Sequence, residues 1–232
     1  MISIFKKTTK TLKALEFILI VIIVVSSSIT TTHAQSNELL QSRIRLFEAW
    51  LNTLMSDQSL RGVSVSLVQN QKLIYAKGFG VSDFEKRSPA TELTNYRIAS
   101  ITKLFTSIAL MQIVERKKIF LDTPVVEIIP ELRAIKTNGH SVEGITIKSI
   151  LTHTTGLPTN PNFVLDKKGQ NQALALDEFL KGLAQQSLLF PPNRIHKYSN
   201  LAMNLGGLIV ERVSGLSYEQ YIQEVILTPL QL

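Results

Sequence analysis

Apolar and polar positions along the chain fall into three kinds of pattern, each predicting a different element. Between Glu38 and Met55, Leu40, Ile44, Phe47, Leu51 and Leu54 recur at spacings of three and four, with Arg43, Arg45, Glu48 and Asn52 elsewhere. This is the stripe of an amphipathic helix. From Gly62 to Val68 apolar and small polar residues alternate, which predicts a strand with one buried face. Asn70-Gln71 supplies a turn, and Lys72 to Phe79 the returning strand of a hairpin. Val81 to Tyr96 is polar, contains Pro89 and reads as a loop.

From about Ser100 to Arg116 the apolar residues no longer keep to one side. Leu104, Phe105, Ile108, Ala109, Leu110, Met111, Ile113 and Val114 leave almost no polar face, so this helix is expected to be buried all round. Its polar residues gather at the start, as Ser100, Thr102 and Lys103. The trio Arg116, Lys117 and Lys118 suits the negative end of the helix dipole. Thr123-Pro124 and Pro130 mark turns and a short helix, and Ile145 to Leu151 fits either a strand or a helix start. Thr154 to Pro158 reads as a tight turn. Leu174 to Leu188 is predicted helical, with Pro191-Pro192 as its breaker, and Leu201 to Val213 is an apolar helix ended by Gly215. Ser217 and Gln220 form a capping box opening a last helix through Ile226, closed by Thr228-Pro229.

The first 34 residues have a pattern of their own. A basic start is followed by the unbroken apolar run Phe17 to Val25 and a Ser/Thr stretch ending Thr32-His33-Ala34. These are the parts of a secretory signal cut after Ala34. The alternative is an uncleaved anchor associating with a membrane through residues 14–32, although the apolar run alone is short of the roughly 20 residues a span needs. Either way residues 35–232 are expected to be exported, to the periplasm or cell envelope.

Composition removes several classes of function. The net charge is +7, but four lysines against one glutamate lie in the leading segment. About +4 remains without it, and no basic stripe is interleaved with aromatics, so a nucleic-acid partner is not expected. The chain has no cysteine, which excludes disulfides, thiolate catalysis and cysteine-ligated zinc. His140, His153 and His196 show no metal-ligand spacing. No metal and no cofactor is expected, and His153 is read as a turn residue rather than a catalytic one.

The candidate chemistry lies at two helix starts. In Ser100-Ile101-Thr102-Lys103 the serine and lysine are three apart, so their side chains share a face with β-carbons about 5–6 Å apart. A serine hydroxyl needs a base, and a lysine can serve if burial or a nearby positive charge keeps it neutral. The helix start adds backbone N–H groups and a positive dipole end that favour an oxyanion. The spacing alone is weak evidence, since Ser3 and Lys6 also have it. The rival reading is a Ser100 cap with Lys103 reaching solvent. Tyr198-Ser199-Asn200 opens a second apolar helix. Its phenol could relay a proton if neighbouring cations lower its pKa, and its amide could hold a substrate carbonyl and the lysine together. A plain helix cap by Ser199 or Asn200 is the rival there.

Together the two motifs resemble the signature set of serine β-lactamases and penicillin-binding proteins. Tyr-x-Asn as the second element is similar to class C β-lactamases, D-alanyl-D-alanine peptidases and the esterases sharing their fold. The resemblance extends through Tyr75 to Gly80, Tyr96 to Lys103, Leu121 to Val125, Pro130 to Leu132, Ile145 to Leu157 and Leu227 to Leu230. It implies an α/β (α+β) fold: an antiparallel sheet flanked by helices, with an all-helical subdomain, in residues 35–232. It also implies that Ser100 attacks a carbonyl, that Lys103 and Tyr198 handle the proton, and that Asn200 binds substrate. The expected activity is hydrolysis of an amide or ester through an acyl-enzyme, on a small-molecule or peptide substrate (a β-lactam, a D-alanyl peptide or a small ester). The alternative is an inactive envelope protein binding cell-wall peptides with the same fold. The family's third motif, Lys-Thr-Gly or His-x-Gly on a later strand, has no counterpart after Asn200. The domain is therefore expected to be incomplete at its C-terminal side.

Overall fold

The computed structural model describes residues 33–161 and 176–232. Most of the segment expected to direct export, and the first two residues of the helix expected at 174–188, lie outside the described residues. The chain divides into two compact units, Met1–Tyr96 and Arg97–Leu232.

In the first unit helix α1 spans His33–Asp57, and its stripe faces inward as the periodicity requires, with Ile44, Leu51 and Met55 buried. Leu51 and Met55 pack with Phe79 into a small core bordered by Phe47, Val63, Val65 and Tyr75. Strands β1 (Gly62–Gln69) and β2 (Lys72–Asp83) pair antiparallel, from Gly62 opposite Gly80 to Gln69 opposite Lys72. The connecting Asn70 and Gln71 both take positive φ, 49° and 61°. This is the backbone a two-residue hairpin turn demands, and asparagine tolerates it. Glu48 ties α1 to β2, accepting from the Tyr75 hydroxyl and from Lys77 Nζ, each at 2.9 Å.

The loop expected over residues 81–96 is only partly a loop. β2 continues through Val81 to Asp83 and pairs with a two-residue strand β3 (Ser88–Pro89), completing an antiparallel sheet in the order β1-β2-β3. The physical reason is the Asp83 carboxylate. It accepts the backbone N–H groups of Glu85 and Lys86 at 3.0 and 3.1 Å and so folds the turn that brings β3 back. Pro89 costs the sheet nothing at this edge, where no ladder donor is required of it.

The second unit is built of helices. A 3₁₀ turn at Ala99–Ile101 runs into α2 (Thr102–Glu115). Then come α3 (Val125–Ile128), a 3₁₀ turn at Pro130–Ala134 and α4 (Ile147–Leu151). The ambiguous run at 145–151 thus resolves as a helix, because Thr146 and Ser149 cap each other reciprocally at its start. Helix α5 (Leu176–Gly182) ends in a 3₁₀ turn at Leu183–Gln185. It stops short of the expected Leu188 because the next residues extend, with Ser187 bridging to Lys136. Helix α6 (Asn200–Ser214) ends at Gly215 in the left-handed conformation, φ 79°. The Ser217–Gln220 capping box opens α7 (Tyr218–Tyr221), which continues as a π-type segment over Ile222–Leu227.

The core lies where α2, α4 and α6 converge. Ala109, Leu110 and Ile113 meet Ile147 and Ile150 and Leu201, Leu205 and Ile209, all essentially without solvent exposure. Gly206 permits the closest approach. A β-carbon there would lie 3.3 Å from a Leu110 methyl, 3.4 Å from Thr106 and 3.5 Å from Ile150. At the far end of α6, Arg212 forks onto Glu131 at 2.7 and 2.8 Å and also donates to the Ile128 carbonyl. No helix among the described residues is long and apolar enough to cross a membrane.

Helix α2 differs from expectation in one respect. It is not buried all round, because Leu104, Ile108 and Met111 are exposed at 59%, 36% and 44%. An even spread of apolar residues gives such a helix no face that must turn inward. Its packing is fixed instead by the neighbours it has, namely α6 and the Ile222–Leu227 segment.

Candidate active site

Packing α2 against α6 sets their N-termini side by side, and the candidate residues are carried there. The chain enters α2 through a backbone kink. Ala99 has φ 46°, in the left-handed region that costs an L-residue about 1–2 kcal/mol. Ser100 follows within the 3₁₀ turn, and its side chain is exposed. Lys103, one turn further on, extends back as the spacing of three requires, with Nζ 3.4 Å from Ser100 Oγ.

Tyr198 arrives from the start of α6. Ser199 is the N-cap of that helix, its Oγ accepting the Ala202 N–H at 3.0 Å while donating to the Pro158 carbonyl at 2.7 Å. The cap reading and the functional reading of this motif are therefore not rivals. Ser199 caps, and the cap fixes the residue before it. The Tyr198 hydroxyl lies 2.8 Å from Ser100 Oγ, joining residues 98 positions apart. Lys103 Nζ sits 4.9 Å above the Tyr198 ring. Three of the four residues singled out from the sequence thus converge on one oxygen.

Charge accounts for the electrostatics. The Lys103 ammonium, chiefly, and then the contact with Ser100 hold the Tyr198 phenol below its ordinary pKa. In the bond between the two hydroxyls the Tyr198 O–H donates to Ser100 Oγ, which also accepts from Lys103 Nζ.

Asn200, the first residue of α6, is half-buried, and its amide donates to Asn160 Oδ1 at 2.6 Å. The backbone N–H of Asn200 donates to the Thr159 carbonyl at 2.7 Å. Asn160 was not singled out from the sequence. The signal for it was its place just after the turn Thr154-Thr155-Gly156-Leu157-Pro158. His153 lies in a turn, as expected from the sequence, in the left-handed region at φ 54°, and its ring packs against Tyr198 with centroids 4.7 Å apart, a contact the sequence does not reveal.

The surroundings of Ser100 are open. Ser100 is exposed, Tyr198 is 39% exposed, and the apolar residues around the start of α2 (Ile98, Ile101 and Leu104) face solvent. Lys103 and the Tyr198 ring stand close together in this open setting. Among the described residues no cluster of histidine, aspartate and glutamate could hold a metal ion.

Residues 47–232 match the family model described as Beta-lactamase. The chain belongs to the beta-lactamase family. It is 33% identical over 174 residues to protein flp of Staphylococcus aureus, covering 74% of this chain and 34% of that protein. It is 30% identical over 192 residues to esterase EstB of Burkholderia gladioli, covering 79% and 48%. Among solved structures, the octameric penicillin-binding protein homologue from Pyrococcus abyssi superposes with a TM-score of 0.68 at 32% identity, covering 81% of this chain and 43% of that one. The expected fold of helices with an antiparallel sheet is thereby established. The chain spans about a third to a half of the length of these curated relatives.

Proposed function

We propose that this member of the beta-lactamase family is a serine hydrolase acting on an amide or ester through an acyl-Ser100 intermediate. The observation that carries the reading is the 2.8 Å hydrogen bond between Tyr198 and Ser100, made beside the Lys103 ammonium. In the first step Tyr198, as the phenolate that the Lys103 charge favours, takes the Ser100 proton as Oγ bonds to the substrate carbonyl carbon and the carbonyl electron pair moves onto its oxygen. Tyr198 then gives that proton to the departing amine or alcohol as the carbonyl re-forms and the scissile bond breaks. In the second step water attacks the acyl carbon, losing its proton to Tyr198, and Ser100 leaves with a proton restored. Lys103, 3.4 Å from the same oxygen, shares in this traffic and supplies the positive charge that makes a phenolate accessible. Asn200, held by Asn160, is the candidate for binding the substrate carbonyl. Cyclic β-lactam amides, D-alanyl peptides and small esters all fit this chemistry, since each presents a carbonyl with a nitrogen or oxygen leaving group. The basic, apolar and small-residue order of residues 1–34 supports export, and hence a substrate outside the cytoplasm.

The test is covalent labelling. The full chain is incubated in parallel with an alkyl fluorophosphonate, a fluorescent penicillin and an activated ester, and its intact mass is followed. A single adduct that maps to Ser100 and vanishes in Ser100→Ala is expected. A folded protein that takes no adduct from any probe, or takes it equally in Ser100→Ala, would refute the reading. Peptide binding without an adduct would point to a wall-binding module instead.

A further inference from the structure

The Tyr198 side chain is partly exposed and meets Ser100 through its hydroxyl and Lys103 through its ring. The backbone on either side adds a further restraint, and both flanking amides lead to one residue. The Lys197 N–H donates to the His153 carbonyl at 2.8 Å, and the Ser199 N–H donates to His153 Nδ1 at 3.2 Å. The His153 ring covers one face of the Tyr198 ring at 4.7 Å. We propose that His153 is a positioning residue, which works as a neutral imidazole with its proton on Nε2 and clamps residues 197 and 199 so that the Tyr198 phenol stays on Ser100. The inference rests on the hydrolase reading only for what the clamp is for. The clamp itself is a matter of hydrogen-bond geometry.

The local backbone is shaped for this contact. His153 follows α4 and sits at φ 54°, a left-handed conformation that is uncommon outside glycine but that histidine enters more readily than most side chains. Beyond it the same turn continues to grip the segment leading to Tyr198. The Asn193 N–H donates to the Thr154 carbonyl, and the Leu189 N–H to the Gly156 carbonyl, each at 2.8 Å. Among these contacts the imidazole bond alone is made by a titratable side chain.

A backbone N–H can only donate, so Nδ1 must present a lone pair. The groups facing the imidazole favour that state. Its ring is partly buried, the His196 ring meets it edge-on at 6.0 Å, and Lys103 adds positive charge. Burial chiefly, then His196 and Lys103, push the His153 pKa down. Tyr198 is the remaining titratable neighbour in ring contact. Protonation in acid would place a hydrogen on Nδ1, abolish its acceptor, and set another cation beside Lys103. The reactivity of Ser100 would then fall more steeply on the acid side than ionisation of the phenol alone requires.

The test uses the full chain and two variants that both accept positive φ. His153→Asn keeps an acceptor near the Nδ1 position, and His153→Gly removes it. Long-range ¹H–¹⁵N spectra of the histidine rings are recorded across pH, along with rates of Ser100 phosphonylation by an alkyl fluorophosphonate. We expect an unprotonated Nδ1 and a protonated Nε2 on His153 at neutral pH. We expect His153→Gly to react about tenfold slower or more. His153→Asn should recover most of that loss and also lose the extra acid-side fall. A proton on Nδ1 at neutral pH, or equal rates and identical pH profiles in the Asn and Gly variants, would overturn the proposal. If Ser100 takes no label in any form, the hydrolase reading has failed while the ring spectrum still decides the clamp. An acceptor Nδ1 then upholds it, and a protonated Nδ1 overturns it.

Discussion

Replacing Tyr198 by phenylalanine removes one oxygen atom and leaves the ring in place. The contact of that ring with His153, at 4.7 Å, does not involve the hydroxyl. The hydroxyl meets Ser100 Oγ at 2.8 Å and lies beside Lys103, and both neighbours can be solvated by water in its absence. The substitution should therefore leave the unfolding midpoint within the scatter of measurement. Its effect on reactivity should be large. A side chain positioned to take and return a proton contributes about 10²–10⁴-fold to rate, and Tyr198 is the nearer of the two candidates, since Lys103 lies at 3.4 Å. We expect Tyr198→Phe to slow phosphonylation of Ser100 by about 10²-fold or more. The assay pairs intact-mass kinetics at several reagent concentrations with urea unfolding of the same preparations. A Tyr198→Phe protein that reacts as fast as the parent would refute the proton role. So would a loss of rate matched by a comparable loss of stability, because the effect would then be one of packing.

Two further predictions concern what holds the site. Ser199 is fully buried, and its hydroxyl both caps α6 and donates to Pro158. Ser199→Ala should cost about 2–3 kcal/mol by denaturant unfolding, from a lost cap and an unsatisfied carbonyl, and a value near zero would show that water replaces it. The Arg212 fork holds the Glu131 carboxyl down to about 2, against an ordinary value of 4.5. A depressed carboxyl stabilises the fold above its unfolded pKa and loses that contribution as pH falls through the folded one. Glu131 is 39% exposed, so the pair is worth about 1 kcal/mol rather than what the shift alone implies. Glu131→Gln should be less stable than the parent by that margin near neutrality. The gap should close between about pH 4.5 and about pH 2, and one that persists through that range would contradict the assignment.

The sequence made some of this legible and hid the rest for identifiable reasons. Helix α1 is readable because Leu40, Ile44, Phe47, Leu51 and Leu54 recur at helical spacing and must face one way. Helix α2 was misjudged because an evenly apolar surface carries no directional information, and only the neighbouring elements decide that Leu104 stays in water. The continuation of β2 past Val81 was missed because the signal for it is a side-chain turn at Asp83, not a run of strand-forming residues. Ser100 and Lys103 could be paired from helix geometry alone. Tyr198, 98 residues from Ser100, could be joined to them only through family resemblance. His153 was set aside because its contacts reach 46 residues along the chain and involve backbone amides, which leave no mark in composition or periodicity.

The contact at Gly206 makes the reactive centre sensitive to events well inside the protein. From Gly206 back to Asn200 is six residues of α6, an arm of about 9 Å. A tilt of roughly five degrees at that fulcrum would carry the start of the helix about 0.8 Å sideways, close to the misplacement that can cost 10²-fold in rate. Drift in the size of the residue at 206, or of Leu110 or Ile150 against it, would thus detune the chemistry without touching any residue that performs it.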